Sequence, residues 1–128
     1  MYTYDIVFLD NDLYLSHLVC KTLSEQGYKV TTFNDWFEAI RILRNYPTKI
    51  LIFNELSCNI NIVDYIKFAR TNLPNTKLYI SLEREIDSLE RDLYYEKKIN
   101  GIIVKPFSMY DIINLIKWLK YSITSRRY

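Results

Sequence analysis

The feature that most constrains this chain is a fivefold alternation, in which a short apolar run is followed each time by a stretch of apolar residues at helical spacing. The runs are Asp5–Leu9, Lys29–Phe33, Ile50–Phe53, Lys77–Leu82 and Gly101–Val104. The first, third and fifth are nearly continuous in Ile, Val, Leu and Phe, the pattern of strands covered on both faces by helices. Strict βα alternation requires parallel strands joined by right-handed crossovers. The predicted architecture is a doubly wound α/β fold, (βα)5, with a five-stranded parallel sheet in the order 2-1-3-4-5. The 128 residues suffice for one such domain, predicted to span 1–128, and leave no room for a second.

The helical stretches carry their own punctuation. Leu15, Leu18, Val19 and Leu23 form a stripe with Asp12 as N-cap and Gly27 past the end. Asp35-Trp36-Phe37-Glu38 is a capping box for a helix that buries Ala39, Ile40 and Leu43 and stops before Pro47. Ile62, Val63, Ile66 and Ala69 define a third helix ending before Pro74. Ile86, Leu89 and Leu93 define a fourth, charged on its other side and the least buried. Ser108-Met109-Tyr110-Asp111 is a second capping box, opening a helix with Ile112, Ile116, Leu119 and Ile123 inward.

In parallel sheets of this order, ligands collect beyond the carboxyl ends of the strands, where the order reverses between strands 1 and 3. Four strands deliver polar residues to that rim: Asp10-Asn11, Asn54, Ser81 and Lys105. The matching segments are Phe8-Leu9-Asp10-Asn11-Asp12, Ile52-Phe53-Asn54-Glu55, Tyr79-Ile80-Ser81-Leu82 and Val104-Lys105-Pro106-Phe107. Together they resemble the receiver domain of two-component response regulators along essentially the whole chain. That family places an acidic pair after strand 1, a phosphoacceptor aspartate after strand 3, a Thr or Ser after strand 4 and a Lys-Pro, joined by a cis bond, after strand 5. The resemblance implies that Asp10, Ser81 and Lys105 correspond to the first acid, the hydroxyl and the lysine. Asn11 and Asn54 depart from the pattern.

The departures have chemical consequences. A carboxamide is a weak, neutral nucleophile, so Asn54 is not expected to form an acyl phosphate. Exchanging two of three carboxylates takes the pocket from about −3 to about −1 before Lys105 is counted, and Lys105 then roughly cancels Asp10. No metal is expected beyond weak Mg²⁺ at Asp10, and no cofactor. Asp10 is read first as the salt-bridge partner of Lys105 and second as a metal ligand. The lysine ammonium is expected to take the ion's place near Asp10 and the Asn54 carbonyl. Asp12 and Glu55 are poor substitutes for the missing acids, one as a helix cap and the other pointing to the opposite side of an extended chain. The loop 55–62 lacks the Pro and Gly usual in the family, and Ile102 stands where many receivers carry a switch aromatic.

Composition narrows the function classes. Net charge is +2, with 17 basic and 15 acidic residues dispersed along the chain, which gives no electrostatic case for nucleic acid. Cys20 and Cys58 form neither a disulfide framework nor a zinc motif and suit a reducing cytoplasm. No apolar stretch approaches about 18 residues, and the N-terminus lacks a signal-peptide pattern, so neither export nor membrane insertion is predicted. His17 is predicted on the outer face of the first helix, and Trp36, Phe37 and Trp118 as packing residues. The 12 Tyr, 6 Phe and 2 Trp exceed the needs of a core this size. Around helix 4, strand 5 and helix 5, Arg91, Tyr94, Tyr95, Ile102, Tyr110, Lys117 and Trp118 compose a partner face, with Arg84, Lys97 and Lys98 nearby and a homodimer as one option. The expected function is a non-enzymatic pseudo-receiver, a signalling module that works by protein contact independently of phosphorylation. The rival readings are a small-molecule or anion sensor at the altered pocket, a receiver phosphorylated on a non-standard acceptor, and a DNA-binding regulator, the last disfavoured by the absence of a basic recognition helix.

Overall fold

A computed structural model describes residues 1–57, 60–106, 108–114 and 117. Five strands, β1 (Tyr4–Leu9), β2 (Val30–Phe33), β3 (Thr48–Asn54), β4 (Lys77–Leu82) and β5 (Gly101–Val104), alternate with helices α1 (Leu13–Glu25), α2 (Trp36–Leu43), α3 (Ile62–Asn72) and α4 (Ser88–Glu96). A further helix follows β5, described over 109–114. All pairings are parallel and the order is β2-β1-β3-β4-β5, as predicted.

Strand periodicity divides the core between the two faces of the sheet. Val7, Leu9, Leu51, Phe53, Ile80 and Leu82 pack with Ala39, Ile40 and Leu43 of α2, Tyr65, Ile66 and Ala69 of α3, and Tyr94 of α4. Ile6, Phe8, Ile50 and Ile52 pack on the opposite face with Val19 and Leu23 of α1 and with Ile112. The inner strands β1 and β3 are six and seven residues long, whereas the outer strands β2 and β5 have four each and are only half-buried.

The caps set the helix rotations. Asp12 accepts from the Leu15 N–H, Asp35 from Glu38, Asn61 from Val63 and Asp87 from Glu90. Ser108 and Asp111 form a reciprocal box, each side chain accepting from the other's N–H. Gly27 closes α1 at φ +91°, a conformation that suits glycine.

Two predicted faces shift, and one predicted packing residue is exposed. In α1 the buried stripe is Ser16, Val19 and Leu23, and Leu18 is exposed, lying about 100° round the helix from Val19. In α4 the cap at Asp87 leaves Ile86 ahead of the helix, and Leu89 and Leu93 are exposed. The inward residue is Tyr94, whose hydroxyl donates to Glu90 one turn back. Phe37 is exposed, touching Trp36 edge-on, while Trp36 itself packs against Tyr65 and Phe68. His17 is exposed. Ile116, Leu119, Ile123 and Trp118 lie outside the described residues.

Candidate functional site

At the carboxyl ends of the strands, Asp10 directly follows β1 and is 2% exposed. Its Oδ1 accepts from the Asp12 N–H at 2.8 Å, a local turn that leads into the α1 cap. Asn54 closes β3 in register with Ser81 of β4, and both are buried. Lys105 follows β5, is joined to Pro106 by a cis bond, and has its side chain 14% exposed.

Lys105 Nζ lies 2.8 Å from Asp10 Oδ2 and 3.0 Å from Glu83 Oε1. Burial disfavours its charge, but the two carboxylates outweigh that, and its pKa is raised. The expected second partner, the Asn54 carbonyl, is replaced by Glu83. Asn54 Oδ1 instead accepts from the Leu56 N–H at 2.9 Å. Its Nδ2 donates to Ser81 O at 3.2 Å, Ser81 Oγ at 3.0 Å and Glu83 Oε1 at 3.0 Å. An amide nitrogen is what permits this arrangement, because all three partners present acceptor oxygens.

Glu83 is the residue that the sequence reading missed. The signal was available: two residues beyond Ser81 on an extended chain, a side chain returns to the same side. Its carboxylate also changes the charge expected at the site. Asp10, Glu83 and Lys105 leave one net negative charge rather than cancelling.

Asn11 points away from this cluster. Its backbone N–H donates to Ser57 Oγ at 2.9 Å and its side chain to Leu56 O at 3.5 Å, tying the β1–α1 turn to the 3-10 turn Glu55–Ser57. Cys58 lies outside the described residues. Glu55 faces Arg84 at 3.6 Å, and burial raises its pKa despite the guanidinium. Arg84 also reaches Glu90 at 2.7 Å, and Glu90 accepts the Tyr94 hydroxyl at 2.8 Å. Burial and that hydrogen bond push the Tyr94 phenol up to about 12.

The residues do not fit a divalent cation. Mg²⁺ demands near-octahedral oxygen coordination, but both carboxylates here are engaged by one ammonium. No group of three or more His, Cys, Asp or Glu that could hold a metal occurs among the described residues.

The predicted partner face is altered too. Tyr94 is 3% exposed and unavailable for contact, whereas Tyr95 and Tyr110 are exposed at 43% and 69%. Arg91 and Ile102 are half-buried, with Ile102 packed into the α3–α4 side of the core, and Lys117 is exposed. Arg84 is occupied by Glu55 and Glu90. A shallow groove of about 410 Å³ opens beside the site, lined by Asp12, Leu15, Glu83, Lys105 and Pro106. No helix among the described residues is long and apolar enough to cross a membrane.

No protein-family model matches the chain, and no curated protein is similar in sequence. Solved structures are similar in fold. A CheY-like response-regulator receiver domain protein from Methanospirillum hungatei JF-1 has a TM-score of 0.81 at 16% identity, with 98% of each chain covered. The receiver domain of Francisella response regulator 1452 has a TM-score of 0.81 at 16% identity, over 94% of this chain and 98% of that one. The beryllofluoride-activated NtrC4 receiver domain dimer has a TM-score of 0.78 at 18% identity, over 88% and 93%. The chain thus has the flavodoxin-like fold of CheY-like receiver domains, with an asparagine and an internal glutamate–lysine pair at the ends of its strands.

Proposed function

We propose that this protein is a pseudo-receiver, a cytoplasmic, non-enzymatic module of a two-component-type signalling pathway that acts by protein contact without aspartyl phosphorylation. The observation that supports this most is the Asn54 amide. It stands at the end of β3 as a donor to Ser81 and Glu83, so the position offers phosphorus no carboxylate nucleophile. The Lys105 ammonium bridging Asp10 and Glu83 supports the same reading, because it leaves no free pair of carboxylates to carry Mg²⁺ to an incoming phosphoryl group. For contact with a partner or a second copy, the reading takes the exposed Tyr95, Tyr110 and Lys117 with Arg91, and drops Tyr94. A dimer is described for the NtrC4 receiver domain, which makes self-association the first case to examine.

The test is incubation with acetyl phosphate and Mg²⁺ followed by intact-mass measurement. The expected result is no phosphoryl adduct. An adduct mapped to Asp10, Asp12 or Glu83 would replace this reading with that of a receiver using a non-standard acceptor.

A further inference from the structure

Two donors from different strand ends converge on one oxygen of Glu83. Asn54 Nδ2 and Lys105 Nζ each lie 3.0 Å from Oε1. An ammonium and a primary amide aimed at a common point are what a small oxyanion requires. Here the anion belongs to the chain itself. We propose that Glu83 is an intramolecular ligand, a carboxylate that fills an oxyanion site formed by Asn54 and Lys105 and thereby holds the β4–α4 loop in place. This deepens the proposed function and rests on Asn54 acting as a donor.

Exposure and charge support the assignment. Asn54 and Asp10 are buried and the Lys105 side chain is 14% exposed, whereas the Glu83 side chain is 37% exposed and opens onto the groove beside Leu15 and Pro106. Glu83 is therefore the member of the set that solvent can replace. With Glu83 in position, Asp10, Glu83 and Lys105 sum to one negative charge, and a phosphate ion is repelled. The next residue reinforces the latch, because Arg84 binds Glu55 at the end of β3 and Glu90 on α4. Adjacent residues of the loop thus fasten it to the site on one side and to the neighbouring helix on the other.

Removing Glu83 leaves Lys105 paired with Asp10 and Asn54 bonded to Ser81, so the variant retains the contacts needed to fold. The experiment compares binding of inorganic phosphate, sulfate and chloride at matched ionic strength to the wild-type chain and to Glu83→Ala, by NMR with the Asn54 side-chain amide as reporter. The expected outcome is a phosphate affinity at least about tenfold higher in Glu83→Ala, together with a shift of the Asn54 amide resonance. Sulfate should behave like phosphate and chloride should not. Equal phosphate affinity in the two proteins would overturn the proposal, as would a gain that leaves the Asn54 amide unmoved or that chloride reproduces. None of these outcomes depends on phosphoryl transfer, so failure here is distinguishable from failure of the acetyl phosphate test.

Discussion

Replacing Asn54 by aspartate restores the residue type that a receiver would carry, and the geometry predicts that this chain resists it. The three acceptors around Nδ2, namely Ser81 O, Ser81 Oγ and Glu83 Oε1, lie at 3.0–3.2 Å. In Asn54→Asp an oxygen faces all of them. The Ser81 hydroxyl can rotate to donate, but the carbonyl and the carboxylate cannot. Two unit charges 3 Å apart at an effective dielectric of 20 repel by about 5.5 kcal/mol. Glu83 is 37% exposed and can swing outward, and the Lys105 ammonium attracts the new charge, so about 2–3 kcal/mol of destabilisation remains at neutral pH. For a domain of this length that lowers Tm by about 10 °C. The sign with pH follows from linkage. A carboxylate beside Glu83 has its folded-state pKa raised above the unfolded value of about 3.9, so the penalty is complete above the folded pKa and fades as pH falls toward the unfolded one. Urea denaturation of wild type and variant at pH 7.5 and again near pH 4.5 measures both quantities. A variant as stable as wild type at pH 7.5, or a deficit unchanged at the lower pH, would refute the reasoning.

Lys105→Met should strand the buried Asp10 carboxylate without its counter-ion, costing about 2–4 kcal/mol in chemical denaturation at pH 7. Because the folded pKa of Lys105 is raised above 10.5, its contribution is complete below that value and lost as pH rises through the folded one, so the wild-type and variant curves should converge in strong alkali. Tyr65→Ala should cost about 3–5 kcal/mol in urea and weaken the near-UV circular dichroism. Tyr65 is fully buried and meets Phe53 and Trp36 edge-on at centroid distances of 4.9 and 5.8 Å.

The fold was legible because its determinants are local and repeat. Strand runs, N-caps and Gly27 each specify their own element, and five βα repetitions specify a parallel, doubly wound sheet, of which the order 2-1-3-4-5 is one of two common forms. The faces of α1 and α4 were less legible, because hydrophobicity alone assigns Leu18, Leu89 and Leu93 inward, whereas Tyr94 satisfies both packing and its hydroxyl once Glu90 is one turn away. At the site, Asp10, Asn54 and Lys105 were found because each directly follows an apolar run, and Ser81 because it is a polar residue near the end of one. Glu83 was missed for the opposite reason. It lies past the strand in a charged stretch, Glu83-Arg84-Glu85, where composition looks like solvated surface and only the two-residue strand period points back to the site. Which oxygen or nitrogen of Asn54 faces Lys105 depends on that neighbour, so the lysine's second partner could not be assigned without it.

The short outer strands constrain how this protein can associate. An exposed strand edge offers a row of unpaired amides and carbonyls, and a long flat one invites a further strand, the route to fibrils and swapped sheets. Here β2 and β5 offer four residues each, against seven in the central β3. Edge-to-edge growth of the sheet therefore has little backbone to work with. The protein contact proposed above is therefore one between side chains on helices rather than one that extends the sheet.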